Sequence, residues 1–231
     1  MTRDLALVVG VGESTGQAVC RLLAYRYRLV MVARSRALIE TLAAELPDAH
    51  ALPCDVADRD AWGAALRRIR DEFGVPTRIL VNTEAAVWGA YDALALDRFA
   101  ASFDVNVVSL LQLVQVLFPN KDAISAHSRI LVSSSPAAYH PPAQFLGLAP
   151  SRVAQRVLAE LLHENLAPHG LALSVFSING AIDQPSMRAL YPNQPASFFV
   201  RPGEIAAAMV KHFDSADFPR AIELRGESAF V

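Results

Sequence analysis

Lysine and cysteine are the scarcest reactive residues in this chain. Lys121 and Lys211 are its two lysines, Cys20 and Cys54 its two cysteines. Two thiols cannot build a disulfide framework or a four-ligand zinc site, so a reducing cytoplasm is the expected setting. Neither lysine follows a tyrosine by four positions; Leu117 and Ala207 stand there instead. Charge is sparse as well. Charged residues make up 19% of the chain and the formal net charge is −2, which speaks against a nucleic-acid partner needing a basic face. The longest uncharged helix-like stretch, Val105 to Phe118, is interrupted by Asn106, Gln112 and Gln115. A bilayer span needs about 20 apolar residues, so no membrane span is expected. The strand-like run starting at Leu5 leaves no room for a signal peptide.

What the chain does have is apolar bulk. Its 231 residues are 53% hydrophobic, enough for one large domain with a substantial core and too apolar for disorder. Strand-like runs at 5–9, 29–33, 50–53, 79–82, 129–134, 171–178 and 220–225 alternate with helical patterns near 14–27, 36–46, 58–73, 97–118, 150–167 and 203–213. Several runs are continuously apolar, as expected of strands covered on both faces. The alternation predicts an α/β three-layer sandwich over residues 1–231, with a mainly parallel sheet of about seven strands. Two proline-rich segments, 135–150 and 181–202, follow the fifth and sixth strands. Loops beyond the carboxyl ends of parallel strands form the ligand crevice, so these are expected to wall it.

The first strand runs into Gly10-Val11-Gly12-Glu13-Ser14-Thr15-Gly16, followed by a helical pattern. Glycines in a strand–turn–helix context let backbone N–H groups approach a pyrophosphate at a helix N-terminus. The doubly wound Rossmann fold is built around such a turn. Ser14 is also placed to cap the helix through its hydroxyl. The second strand ends in Arg34-Ser35-Arg36, and no acid occurs between Gly16 and Glu40. A free ribose 2′-hydroxyl would favour an acid there and a 2′-phosphate favours arginine, so NADP(H) is expected over NAD(H).

Together with the residues that follow, these motifs resemble the short-chain dehydrogenase/reductase family over nearly the whole chain. The resemblance implies that Gly10 to Gly16 is the phosphate turn, with Ser14 where the family has its middle glycine. It places Asp55 and Val56 beside the adenine, with a helix cap as the alternative role of Asp55, and Asn82 in the segment behind the cofactor. Glu84 and Ala85 depart there from the family's Asn-Asn-Ala-Gly. Asn106 corresponds to the asparagine that organises a proton-relay water, and Ser135 to the catalytic serine, with Ser134 as the alternative. The family's Tyr-x-x-x-Lys pair is missing: Leu148 holds the tyrosine position and Arg152 the lysine position. Gly180 and Ile182 fall in the segment that closes over nicotinamide.

An NADP(H)-dependent oxidoreductase with an incomplete catalytic set is therefore expected, its candidate catalytic residues Ser135, Asn106, Arg152 and Tyr139. Tyr139 and His140 follow Ser135 closely enough to supply a substitute proton donor. The alternative is an NADP(H)-binding regulatory or structural protein with little turnover, since fold does not guarantee activity. A third option, a non-redox enzyme using Ser134 or Ser135 as a hydrogen-bond donor, lacks a nucleophile elbow for hydrolysis. Phe145, Tyr191, Phe198 and Phe199 hint at a nonpolar carbonyl or alcohol substrate. In relatives the helices matching 97–118 and 150–167 pack on a second subunit, so the resemblance implies a homodimer or homotetramer. The histidines at 50, 127, 163, 169 and 212 have no metal-ligand spacing.

Overall fold

Continuously apolar segments become the central strands of the sheet. In β1 (Leu5–Val9), Leu5, Leu7 and Val9 enter the core on one face while Ala6 and Val8 enter it on the other. A side-chain period of two makes such a strand buried on both sides. The structure, a computed structural model, describes residues 3–124 and 127–229. After β1 come α1 (Thr15–Leu23), β2 (Arg28–Ala33), α2 (Arg36–Glu45), β3 (Ala49–Pro53), α3 (Arg59–Arg68) and β4 (Arg78–Val81). The second half adds α4 (Leu96–Phe103), α5 (Ser109–Leu117), β5 (Ser128–Ser134), α6 (Ala149–Leu166), β6 (Leu171–Asn179), β7 (Ala181–Ile182), α7 (Pro185–Leu190), β8 (Phe199–Val200), α8 (Pro202–Asp214) and β9 (Ala221–Arg225).

Seven strands form one sheet in the order β3-β2-β1-β4-β5-β6-β9, every neighbouring pair parallel. The chain winds outward from β1 in one direction, then returns to add β4 on its other side. That reversal opens a crevice at the carboxyl ends of β1 and β4, where ligands of doubly wound folds bind. One face is covered by α3, α5 and α6, through residues such as Trp62, Leu113 and Ala159. The other is covered by α1, α2 and α8, through Leu23, Ile39 and Met209. Each such fully buried large side chain contributes about 1.5–3 kcal/mol.

Three local features depart from the expected pattern. The helix expected over 97–118 is continuous from Leu96 to Leu117, but a π-helical turn, Asp104–Val108, joins α4 to α5. This helix is long and apolar enough to cross a membrane by length and composition, yet Leu110, Leu113 and Leu117 are buried in the core. The proline-rich segment 181–202 carries regular structure not expected there: β7 and β8 pair in a small parallel ladder around α7. Asp58, rather than Asp55, caps α3, its Oδ1 accepting from the N–H groups of Asp60 and Ala61 at 3.1 and 3.0 Å.

Candidate active site

The turn after β1 shows why glycine is required. Gly10 has φ +86°, and a Cβ there would lie 2.7 Å from the backbone of Asn82 and Thr83. Only glycine meets both the positive φ and the close approach without strain. Gly12 is the opposite case: a Cβ on it would meet nothing within 4 Å, because it faces open space in the cleft. Asn82 locks the two strand ends together, its Nδ2 donating to the Gly10 carbonyl at 3.1 Å. Ser14 occupies the N-cap position of α1 but makes no side-chain cap bond. The expected cap is therefore not formed. The backbone of Ser14, at φ −108° and ψ −116°, lies outside the usual capping geometry, and its Oγ is left without a partner.

At the end of β2, Arg34 and Ser35 line the cleft, and Arg34 makes no ion pair or hydrogen bond among the described residues. Arg36 is committed elsewhere, donating to Glu40 at 2.9 Å. Asp55 and Val56 line the cleft beyond β3; the Asp55 carboxylate also accepts from the Ala57 N–H at 3.0 Å. Burial, with Asp55 and Asp58 close by, pushes the neighbouring Cys54 thiol up to about 11.

The wall formed by the end of β5, the loop after β4 and the start of α6 holds the residues expected to carry chemistry. Leu148 stands on its wall immediately before α6, with Arg152 one turn along. Arg152 is only 2% exposed. It donates through Nη1 to the Thr83 carbonyl (3.3 Å) and Gln155 Oε1 (2.8 Å), and through Nη2 to Glu84 Oε2 (3.2 Å). Burial pulls its pKa below the usual arginine value, and Glu84 opposes that shift. A cation this deep needs a counter-charge, and the loop after β4 provides one.

Asn106 sits in the π-helical turn, fully buried behind the cleft wall. Its amide accepts from the Ala85 N–H (3.1 Å) and donates to the Ala85 carbonyl (3.2 Å) and Ser151 Oγ (2.9 Å). It thus ties the Glu84–Ala85 loop to α6. Ser133, Ser134 and Ser135 all line the cleft, with Ser135 half-buried just past β5. Ser134 and Ser177 are register partners on β5 and β6, and neither Oγ has a partner.

The Tyr139 hydroxyl is buried rather than turned to solvent, again with no partner. The Arg156 guanidinium lies 4.9 Å from its ring centroid. Burial first, then Glu160, raises the phenol's pKa against the pull of Arg156. Gly180 and Ile182 line the cleft as expected, but of the four aromatic residues proposed for it, only Phe145 does. Phe198 packs instead between Tyr191, tilted at 53°, and Phe199, edge-on at 80°.

The residues fit a nicotinamide dinucleotide. Ten buried side-chain polar atoms among the described residues have no partner, and seven belong to residues of this one cleft of about 2110 Å³: Ser14, Thr15, Thr83, Ser134, Tyr139, Arg152 and Ser177. Buried polar groups are normally satisfied, so a concentration of orphans marks where a polar ligand or ordered water completes them. Gly12, Ser14 and Arg34 would hold phosphates, Asp55 and Val56 would flank adenine, and Thr83, Arg152, Gly180 and Ile182 would surround the nicotinamide half. No group of three or more potential metal ligands occurs among the described residues.

Two features escaped the sequence reading. The Arg152–Glu84 pair joins residues 68 positions apart; the only sign was that both depart from the family pattern. Glu223, on edge strand β9, accepts from Asn179 Nδ2 (2.7 Å) and Arg225 Nε (2.6 Å) and lines the cleft. Arg225 and Asn179 hold its carboxyl below the usual range. Only the β6–β9 register brings Glu223 beside Ser177, and no local motif announces it.

Comparison with known proteins agrees with this geometry. The family model for short chain dehydrogenases matches residues 4–194. An L-xylulose reductase from Mesocricetus auratus is 27% identical over 184 residues, covering 79% of this chain and 72% of that protein. A D-erythrulose reductase from Gallus gallus is 28% identical over 171 residues, 73% of this chain and 68% of its own. An alcohol dehydrogenase from Thermococcus sibiricus, solved with 5-hydroxy-NADP, superposes with a TM-score of 0.85 at 19% identity, covering 99% of each chain.

Proposed function

This chain belongs to the short-chain dehydrogenase family, and from that premise we propose that it is an NADP(H)-dependent oxidoreductase acting on a carbonyl or alcohol substrate. The observation that carries the proposal is the set of orphaned polar atoms gathered along one cleft, which the Gly10–Gly16 turn also lines. Arg34, exposed and unpaired, supports a 2′-phosphate over a 2′-hydroxyl.

Bound NADP(H) would supply or accept the hydride. The chain's own residues then have separable tasks. Ser135 donates its hydroxyl to the substrate oxygen and fixes the carbonyl's position. Arg152 binds ribose hydroxyls, while Asn106 holds the loop carrying Glu84 against α6. Tyr139 is the proton donor, in place of the absent tyrosine at 148. Its phenol is protonated at neutral pH, as an ordinary tyrosine is, and so can donate a proton but not accept one; burial raises the pKa further and makes it a weaker acid. Both curated relatives are reductases by name. Phe145, Leu148 and Ile182 give the cleft an apolar wall suited to a nonpolar substrate body.

One observation favours a second reading. Leu148 has no proton to give, and the Tyr139 hydroxyl is closed to solvent. A protein that binds NADP(H) for a regulatory or structural purpose and turns over little would look the same. The two readings separate when NADPH loss is followed against aldehydes, ketones and quinones. Turnover on any of them supports the oxidoreductase; tight binding without turnover on all of them supports the binding protein.

The apolar outer residues Leu111 on α5 and Val157 and Leu161 on α6 are exposed in the single chain, which supports assembly as a homodimer or homotetramer. Cys20 and Cys54 are both free thiols, in keeping with a reducing cytoplasm.

A further inference from the structure

A second, smaller recess lies beside the cleft. It has a volume of about 340 Å³ and is built from the proline-rich segment before α6 and the first turns of that helix. Ala149 and Val153, one turn apart on α6, line it together with Pro141, Ala143 and Leu146 from the preceding segment. No described residue lining it carries a polar side chain. Pro142 and Phe145 line this recess and the cleft alike, so the two meet at a common rim. Trp88, 59% exposed, lies edge-on to Phe145 at 5.4 Å and extends the apolar surface there.

Scattered exposed apolar residues are ordinary, whereas a concave group of them without a hydrogen-bonding side chain marks a binding surface. A polar ligand would find no side-chain partner in the recess; a hydrocarbon would be removed from water there. An engineered cavity of about 150 Å³ accepts a benzene-sized molecule, so this recess has room for several carbons of a chain. Proline fixes φ, which keeps the rim formed before a ligand arrives and lowers the entropic cost of binding. A second copy of the chain is the competing occupant, because Val153 continues along α6 into the exposed Val157 and Leu161. Continuity with the cleft favours the hydrocarbon. A molecule held at Ser135 reaches the recess across the Pro142–Phe145 rim, whereas Val157 and Leu161 line neither cavity.

We propose that the substrate carries a linear alkyl chain on its carbonyl and that the recess beside α6 takes the end of that chain. This deepens the reading that a carbonyl is reduced beside Ser135, and rests on it. Ala143 and Val153 are then specificity-determining residues, which set the preferred chain length and leave the reacting end untouched.

Calorimetric titration with linear methyl ketones, from 2-hexanone to 2-dodecanone, tests the proposal. It is run with NADP⁺ present, so that binding is read without turnover, and again without nucleotide. Wild-type affinity is expected to rise about two- to fourfold per added methylene once the chain passes the rim, the upper figure corresponding to full burial of a CH₂ group. Ala143→Trp and Val153→Trp, which fill the recess, should flatten that rise and leave 2-hexanone binding unchanged. Thermal unfolding checks that both are folded; Ala143 is exposed, so its variant carries the test if Val153→Trp does not fold. Affinity that does not grow with chain length in wild type, or grows equally in the folded variants, overturns the proposal. So does a wild-type dimer that either substitution dissociates, which would give the recess to a second copy. If the ketone series behaves as expected but NADP⁺ does not bind, the alkyl-chain site is upheld while the oxidoreductase reading falls.

Discussion

The Arg152 N–H reaches the Leu148 carbonyl at 3.4 Å, so an aliphatic side chain and a buried cation stand one helical turn apart on the same cleft wall. This is the spacing at which the family carries its tyrosine and lysine.

Restoring both groups should therefore add a proton donor that does not depend on Tyr139. In a Y139F background, L148Y/R152K is expected to raise NADPH-dependent carbonyl reduction about 10²–10⁴-fold over Y139F alone, the usual worth of a positioned general acid. L148Y alone should gain less, because the Arg152 cation is held by Thr83, Gln155 and Glu84, and the Glu84 carboxylate offsets its charge. Steady-state rates on the best substrate of the carbonyl panel check this. No gain in the folded double variant would mean that Leu148 does not limit the reaction.

Gly10 and Gly12 separate folding from binding. G10A forces a side chain onto a backbone at φ +86° and into the Asn82 peptide. It should cost about 1–3 kcal/mol for the backbone conformation alone, with the clash in addition. G12D meets open space, so its ligand-free melting temperature should match wild type. Its carboxylate would nonetheless sit at the proposed phosphate site and should abolish NADPH binding. Thermal melts paired with NADPH titrations read both effects.

The central strands were legible because their apolar runs and turn residues agree at every level. All seven began and ended within one or two residues of the positions expected. The glycine turn after β1 and the absence of a Tyr-x-x-x-Lys pair were equally plain, since each is a local pattern. What stayed hidden depends on long-range packing. Glu84 looked like a disturbance beside the cofactor and proves to be the counter-charge of Arg152, 68 positions away. The π-helical turn at Asn106 has no distinctive local sequence; it coincides with the residue whose amide ties Ala85 to Ser151. The β7–β8 ladder has two residues per strand, too short for periodicity to register.

Arg34 and Arg36 looked equivalent in sequence and differ in structure. R34A should weaken NADPH about 10–100-fold, as expected for losing charge-assisted bonds to a phosphate, while NADH binding barely changes. R36A should do little, because its guanidinium is already paired with Glu40. Competition titrations with the two nucleotides check the contrast.

His212 gives the fold a pH dependence. Its ring is buried, bonded through Nε2 to Ser174 Oγ at 2.9 Å and stacked on Phe218. Burial, and then the nearby Arg129, lowers its pKa below the ordinary 6.5. The unfolded chain therefore binds the proton first. Its contribution to stability is complete above that ordinary value and is lost as pH falls from there towards the lower folded value. Urea midpoints should fall between pH 7.5 and 5.5, and H212Q should flatten that slope even if it lowers stability overall.

The proposal that this cleft holds a phosphorylated nicotinamide dinucleotide at the Gly10–Gly16 turn is tested by calorimetric titration of the wild-type protein with NADPH and, separately, with NADH. One saturable site per chain is expected, with NADPH bound more tightly. No heat with either nucleotide would overturn the proposal.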